Sequence, residues 1–294
     1  MNSNEIRKSF LEYFESKGHK IIPSASLIPH DSSLLFTAAG MVPLKDYFLG
    51  NKTPDSNNMV SSQKCIRTVD IDIIGDTDRH LSFFEMLGNF SVGKYFKEDA
   101  IKYSYEYITE VLKVDKDKLW FTVYKSDDEA YNIWKNLIGI PEERIQRGDE
   151  DNFWHMNIPG PCGPCSEIFI DRGSKYGDDG GPIGGGEDRF IEIWNLVFMQ
   201  YNKSKNGDRK LLPKNILILN ARRKTETLVE FCLMHGINFK MFEEYKNSHF
   251  NISPKLKPHT TFLPKEQLLD PQYYIKNIDV NIMDYQNSRR LNYR

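Results

Sequence analysis

The sequence predicts an α+β fold in which helices flank an antiparallel β-sheet. Strand-like runs outnumber the helical segments between them, which disfavours the regular strand–helix alternation of a parallel sheet. The 294 residues, of which 39% are hydrophobic and 27% charged, are enough to bury a sizeable core. The strand-like runs are residues 59–68, 80–87, 119–124, 167–171 and 190–200.

The first helix is predicted by a single apolar face. Ser3 is the predicted N-cap and Gly18 the predicted stop, because glycine accepts the left-handed backbone that ends many helices. His19 follows that stop, and we expect it at the surface. The residues that form the apolar face are Ile6, Phe10, Leu11 and Phe14.

Two further helices are predicted in the middle of the chain. One runs from residue 97 to residue 113, with apolar residues at helical spacing. The other begins at Ser126, which lies three residues before Glu129 in the spacing of a capping box. Both helices can cover the same face of the predicted sheet.

Composition and charge exclude several classes of protein. No run approaches the ~20 apolar residues of a membrane helix, and the polar N-terminus lacks the apolar core of a signal peptide. The four cysteines are too few for a disulfide scaffold, so we expect a cytoplasmic protein. The net charge of −2 means that a nucleic-acid partner would have to be met by a local basic patch.

A predicted β-hairpin carries residues suited to nucleotide binding. Pairing of its two strands would bring together Arg67, Arg79, His80 and Phe84. Arginine offers a planar fork for phosphate oxygens, histidine adds a donor, and phenylalanine is a flat surface for a purine. The alternative is a solvated surface hairpin with one phenylalanine in the core.

Two glycine-containing motifs are weaker candidates. Cys162 and Cys165 form a Cys-x-x-Cys pair, which is half of a zinc site, and no second pair follows nearby. Because glycine and proline flank both cysteines, we favour a rigid turn. Residues 180–186 are rich in glycine but lack the phosphate-loop pattern, so a flexible loop is the preferred interpretation.

Glu192 and Asn195 are polar residues within a strongly apolar run. A buried acid is costly unless it is paired or binds a metal, which makes Glu192 a candidate ligand for magnesium or substrate. Strict strand alternation gives a second possibility. It places Glu192 on the opposite face from Asn195, where it faces solvent.

The composition changes near residue 203, which divides the chain into a predicted core, 1–202, and a tail, 203–294. The tail opens with a polar segment at 203–210. A strand is predicted at 216–219 and a helix at 225–235. Few apolar residues keep a period beyond residue 245, so weak packing or disorder is expected there.

Several long sequence motifs of this chain occur together in one known family. From residue 6 to about residue 202 the chain resembles the catalytic core of the alanyl-tRNA synthetases, which are class II aminoacyl-tRNA synthetases. The motifs that carry the resemblance are FESKGH at 14–19, LFTAAGM at 35–41, SQKCIR at 62–67, RH at 79–80, FFEMLGNF at 83–90, SDDEAY at 126–131, DNFW at 151–154, GPCGPC at 160–165 and EIWN at 192–195.

The resemblance implies a fold and a reaction. The fold is a class II antiparallel sheet flanked by helices. The reaction activates alanine with ATP and Mg²⁺, and then transfers the alanyl group to tRNA(Ala), with no membrane partner. In such a reaction the protein mainly positions the reactants and neutralises charge.

The resemblance also implies residue roles. Arg67 would hold the α-phosphate of ATP and the carboxylate side of alanine, and His80 the outer phosphates. Phe84 would stack on adenine, whose edge the Met86 main chain would read, and Glu192 would lie beside the metal and phosphates. The residues that would line the alanine pocket are Trp154, Asn195 and Val197.

The chain departs from the family pattern in several places. Asp78 replaces a more usual alanine, and the Cys-x-x-Cys pair lacks a histidine pair, so zinc is not expected. After residue 211 the expected segment Asp-Thr-Gly-Met-Gly-Leu-Glu-Arg, which brings the acid for the alanine ammonium, is replaced by the sequence 215–222. Codons for 216–219 can encode Ile-Asp-Thr in another frame, which suggests a frameshift.

Three functions follow from these departures. The first is an alanine–tRNA ligase present as a catalytic fragment, weakly active or inactive, without the domains for acceptor-stem reading and editing. The second is an alanine-adenylating paralogue for another acceptor, with Glu226 or Glu230 holding the amine. The third is a non-catalytic fragment that only binds ligands.

Overall fold

A computed structural model describes residues 1–29, 34–67, 81–155, 159–212 and 218–224. The helices are α1 (Ser3–Ser16), α2 (Lys45–Phe48), α3 (Lys97–Glu106), α4 (Asp128–Asn132) and α5 (Gly181–Gly184). The strands are β1 (Lys20–Ile21), β2 (Asn58–Ile66), β3 (Phe83–Val92), β4 (Leu119–Tyr124), β5 (Ile145–Gly148), β6 (Phe153–His155), β7 (Gly160–Asp171), β8 (Phe190–Met199), β9 (Tyr201–Lys203), β10 (Arg209–Leu211) and β11 (Ile218–Lys224).

The strands form one sheet that is antiparallel except at its edges. Its order is β1-β2-β3-β11-β8-β7-β4-β5, and only the pairs β1–β2 and β4–β5 within this order are parallel. β6 and β9 pair with the first half of β7, and β10 pairs with β9. The predicted α+β class with a flanked antiparallel sheet is therefore confirmed.

The larger core lies between the sheet and the long helices. Phe10 of α1 packs against Trp194 of β8, with ring centroids 5.7 Å apart. Trp134, in the π-helical turn Ile133–Ile138 that continues α4, donates from Nε1 to the Ser166 hydroxyl at 2.7 Å. We call this side of the sheet the helix face and the opposite side the site face.

The first helix spans its predicted length, but two details of the prediction are wrong. The N-cap is Asn2, not Ser3, because the Asn2 side chain accepts from Glu5 N and the Glu5 carboxylate accepts from Asn2 N. His19 is 3% exposed, not a surface residue. Its ring is held under Tyr95, 76 residues away, a contact that the local sequence does not reveal.

The middle helices occur close to where they are predicted. α3 continues as a π-helical turn, Tyr107–Val111, and Lys113 then adopts a left-handed φ of 59° that ends it. The cap of α4 is Asp127, whose side chain accepts from Ala130 N, and not Ser126. Glu129 instead pairs with Lys97 at 3.0 Å.

The strand predictions differ most at β7. The structure extends this strand back to Gly160, so the Cys-x-x-Cys segment lies inside a strand and the predicted rigid turn is wrong. Gly163 makes this possible, since a Cβ there would stand 1.7 Å from the Phe198 carbonyl oxygen. The conformation of this segment is therefore explained by close main-chain contact between strands and not by a turn.

The sheet continues beyond residue 202. β9 and β10 form a hairpin whose connection, residues 204–208, lies within the polar segment 203–210, and β11 lies between β3 and β8. The predicted helix at 225–235 and residues 216 and 217 of the predicted strand lie outside the described residues. Within the described part of the chain, no helix is both long and apolar enough to cross a membrane.

Candidate adenylate-forming site

The site face is defined by strand alternation. On β3, Phe84 and Met86 lie on this face, whereas Glu85 points to the helix face and pairs with Arg7 of α1. On β8, Val197 belongs to an apolar cluster separate from that of Leu196. Most of the predicted site residues therefore share one side of the sheet.

Arg67 and Phe84 are brought together as the hairpin predicts. The Arg67 guanidinium lies over the Phe84 ring, 5.2 Å from its centroid, and Arg67 Nε donates to the Ala38 carbonyl at 3.0 Å. Phe84 is only 2% exposed, so a purine can stack on it only after the covering groups move. Arg79 and His80, the other two members of this predicted group, lie outside the described residues.

Met86 lies in the interior of the sheet. It is opposite Gln63 on β2 and opposite Lys224 on β11, so ladders run along both of its sides. Its sulfur accepts the Gly40 N–H at 3.1 Å. Reading of an adenine edge by the Met86 main chain therefore requires the end of β11 to separate from β3.

The loop around Ala39 contacts both halves of the site, which are the cluster of Phe84 and Met86 and the cluster that contains Val197. Ala39 packs against the cluster of Phe84 and Met86, and also against the cluster that contains Val197. Trp154 of β6 packs against this second cluster from outside. Val197 is fully buried, so it lies beneath the surface of the site face rather than in an open wall.

Glu192 is exposed, yet it does not leave the site face. Ile168 of β7 is opposite Trp194, whereas Phe169 is opposite Glu192, which leaves Ile193 as the extra residue of a β-bulge. The bulge reverses the alternation, so Glu192 and Asn195 lie on the same face. Glu192 therefore faces solvent, as one of the two interpretations predicts, and the premise that it is a buried acid is wrong. Its separation from Asn195 by strict alternation is also wrong.

A polar network lies in the floor of the site. Its centre is Glu167, whose Oε1 accepts from Asn195 Nδ2 at 2.7 Å. Its Oε2 accepts from Asn152 Nδ2 at 3.0 Å and from the Thr122 hydroxyl at 3.2 Å. The sequence analysis missed Glu167, although its position opposite Asn195 follows once the two strands are paired in register.

The cysteines do not converge on one ion. Cys165 packs on the site face beside Val197, and Cys162, three residues earlier in an extended strand, projects to the other side. Burial raises the pKa of the Cys162 thiol, against the opposing effect of Arg209 and Lys203. Among the described residues, no group of three histidine, cysteine or acidic side chains could hold a metal.

A separate cavity of about 260 Å³ contains none of the predicted site residues. Lys97 and Asp127 line it, and their ion pair of 2.7 Å is almost completely buried. The pair connects α3 to the cap of α4, which gives it a structural explanation.

A family model described as tRNA synthetases class II (A) matches residues 5–220. The chain belongs to this family. The match begins in α1 and ends within β11, so it includes every described residue of the site that we have named on β2, β3, β7 and β8.

The similar proteins are alanine–tRNA ligases. That of Thermobifida fusca is 54% identical over 219 residues, which cover 72% of this chain and 24% of the relative. That of Natranaerobius thermophilus is 55% identical over 221 residues, or 74% and 25% of the two chains. The chain thus spans about a quarter of the length of these relatives.

A solved structure is also similar, at a greater distance. Apo histidyl-tRNA synthetase from S. aureus superposes with a TM-score of 0.47 and 10% sequence identity. The superposition covers 78% of this chain and 64% of that chain.

Proposed function

We propose that this chain carries the alanine-activating site of an alanine–tRNA ligase. The carboxylate of alanine attacks the α-phosphorus of ATP, the bond to the bridging oxygen breaks, and pyrophosphate leaves with alanyl-adenylate as the other product. Transfer of the alanyl group to tRNA(Ala) follows in the cytoplasm, where cysteine thiols such as that of Cys162 stay reduced. The observation that carries the proposal is the contact of Ala39 with both halves of the site, in a chain 54% identical to named alanine–tRNA ligases.

Arg67 is the residue that we assign to the reacting phosphate and carboxylate. Its bond to the Ala38 carbonyl fixes the plane of the guanidinium, so the fork is oriented before substrate arrives. His80 is assigned to the outer phosphates and Phe84 to the adenine ring. Each assignment rests on the family motif, and the contact of Arg67 with Phe84 supports two of them.

Mg²⁺ fits this site as a companion of the nucleotide rather than as a resident ion. Magnesium is commonly held by one or two carboxylates together with substrate phosphates. Glu192 offers an exposed carboxylate on the site face, which suits that arrangement. When bound, the ion would neutralise phosphate charge, while Arg67 keeps the α-phosphate in line for attack.

Alanine would bind beside Trp154, Asn195 and Val197. The floor formed by Val197 is already closely packed, so a small methyl side chain suits it better than a larger one. One extra methylene in such a pocket changes binding by about 1–3 kcal/mol. The pocket is therefore expected to prefer alanine to larger amino acids.

A second candidate function is ligand binding without catalysis. The sequence after residue 211 lacks the family's acidic segment, and β11 pairs with the part of β3 that adenine would approach. Loss of one charge-assisted contact costs about 1.5–3 kcal/mol, or one to two powers of ten in alanine recognition. Weak turnover or none is expected on this view.

Alanine-dependent exchange of pyrophosphate into ATP tests the proposal. The wild-type chain is expected to catalyse exchange, and Arg67→Ala to lower kcat/KM about 10- to 100-fold through loss of a charge-assisted contact. Arg172→Ala is the matched control, since Arg172 stacks on Tyr176 beyond the end of β7.

The outcomes separate the candidates. Exchange together with charging of tRNA(Ala) supports the ligase, and exchange without charging indicates an adenylating paralogue. ATP binding with no exchange indicates the non-catalytic fragment. Equal loss in Arg67→Ala and Arg172→Ala contradicts the role assigned to Arg67.

A further inference from the structure

Three polar residues form a straight row across the site face. Thr122 of β4 is directly opposite Glu167 of β7, and Glu167 is directly opposite Asn195 of β8. Directly opposed residues of antiparallel strands project to the same face, so the three side chains are neighbours. Polar groups inside a sheet are normally hydrogen-bonded, so the partners of this row need an explanation.

Glu167 receives donors on both of its carboxylate oxygens. Asn195 donates to Oε1, whereas Asn152 and Thr122 donate to Oε2. Asn152 also donates to the Thr122 hydroxyl at 2.8 Å, which leaves that hydroxyl's proton for Glu167. Asn152 can reach this position because residue 148 is glycine, where a Cβ would overlap the Asn152 oxygen.

This pattern fixes the orientation of the Asn195 amide. A carboxylate only accepts hydrogen bonds, so the amide must turn its NH₂ group toward Glu167. The Asn195 oxygen Oδ1 is then directed away from Glu167. Asn195 is 7% exposed, and among the side chains that the structure describes none donates to its Oδ1.

A buried acceptor without a donor is costly in the folded chain and is a place where a ligand can repay that cost. The acceptor lies two residues before Val197 on β8, on the same face of the strand and in the predicted alanine pocket. Alanine brings one group rich in donors, its ammonium, and the family's acidic segment for that group is missing from this sequence.

We propose that Glu167 is a positioning residue that locks the Asn195 amide so that Oδ1 accepts a hydrogen bond from the ammonium of the amino-acid substrate. The inference rests on the proposed function and adds to it a residue that acts through another. Asn152 and Thr122 hold Glu167 in place, and of these four residues only Asn195 contacts the substrate.

Glu167→Gln tests the inference without changing the size of the side chain. The glutamine oxygen is expected to turn to the two donors, Asn152 and Thr122, and its NH₂ group to Asn195. The Asn195 amide must then reverse and present its own NH₂ group to the ammonium. We expect L-alanine to bind about tenfold more weakly or worse, whereas propionate, which lacks the ammonium, binds as before.

A charge-swapped double variant keeps the test independent of folding. In Glu167→Gln with Asn195→Asp, the new carboxylate accepts from the glutamine on one oxygen and offers the other to the ammonium. Its affinity for L-alanine is expected to return to within about threefold of the wild-type value, a rescue that a merely structural role for Glu167 would not give. Glu143→Gln, on an exposed turn, is the matched control and leaves binding unchanged.

The measurements are calorimetric titrations of the full chain with L-alanine and with propionate, together with NMR of the Asn195 side-chain amide. Glu167→Gln is expected to shift that amide resonance even without ligand. Unchanged resonance and unchanged L-alanine affinity in Glu167→Gln overturn the inference while leaving the proposed function intact. Failure of the wild-type chain to bind L-alanine overturns both.

Discussion

At the scale of single residues, burial decides chemistry that sequence neighbours do not indicate. His19 lies between the Phe14 carbonyl, 3.0 Å from Nδ1, and the Tyr95 hydroxyl, 2.7 Å from Nε2. Asn89 donates to the same hydroxyl, so that hydroxyl donates to His19 Nε2, and Nδ1 carries the proton. His19 is therefore a neutral imidazole that joins α1 to the sheet.

Burial of His19 makes the fold sensitive to acid. Desolvation lowers its pKa to about 4, despite opposing hydrogen bonds to the main chain, whereas the unfolded value is near 6.5. The contribution of His19 is thus complete above about pH 6.5 and is lost as the pH falls toward 4. The loss is about 3 kcal/mol in the free energy of unfolding at the acid end.

Urea unfolding between pH 4.5 and 7.5 measures this effect. His19→Gln is expected to be less stable than the wild-type chain at pH 7 and to lose less stability on acidification. His155→Gln, at an exposed position, should keep the wild-type slope. Parallel pH profiles for the wild-type chain and His19→Gln would show that His19 does not titrate as described.

At the scale of elements, strands determine which residues share the site. The bulge between β7 and β8 returns Glu192 to the face of Asn195, and the length of β7 places the two cysteines on opposite sides. Neither result follows from composition, because a bulge depends on how two strands pair. The same pairing puts Glu167 beside Asn195.

The close approach of β7 to the end of β8 depends on Gly163. A methyl group there would overlap the Phe198 carbonyl oxygen at 1.7 Å, and this atom belongs to the main chain, which cannot turn aside. Gly163→Ala is expected to lower the free energy of unfolding by about 3 kcal/mol, at the upper end of the overpacking range. Gly184→Ala, with no atom within 4 Å, is the control and should change it by less than about 1 kcal/mol.

Thermal and urea unfolding of both variants check this expectation. A Gly163→Ala chain as stable as Gly184→Ala would mean that the two strands can separate at this point. In that case the Cys-x-x-Cys segment would not be held by close main-chain contact.

At the scale of the whole molecule, β11 completes the sheet. It pairs along its full length with β3, and along five of its residues with β8. Without it the two strands that carry Phe84 and Asn195 would present open edges to each other. The late segment of the chain is therefore part of the frame that holds the two halves of the site together.

Proline at position 221 tests the importance of this strand. Ala221 is opposite Asn89 on one side and Leu196 on the other, and proline would remove its N–H from the ladder. Ala221→Pro is expected to lower the free energy of unfolding by about 3 kcal/mol or more. Ala221→Ser keeps the N–H and is the control. Equal urea midpoints for the two variants would mean that β11 adds little to the fold.

The sequence by itself determined the local elements and the family. The helical spacing of Ile6, Phe10 and Phe14 predicts a buried helix face, which the structure confirms. Pairing of the predicted hairpin places Arg67 beside Phe84, and the structure shows this contact. These features depend on residues close together in the chain, or on sequence motifs long enough to identify a family.

Only the tertiary structure decided the burial of His19, the face of Glu192, the network of Glu167 and the central place of β11. Each of these depends on a partner far away in the sequence or on the register between two strands. A shift of one residue in register moves every side chain to the other face, and no local pattern records that choice.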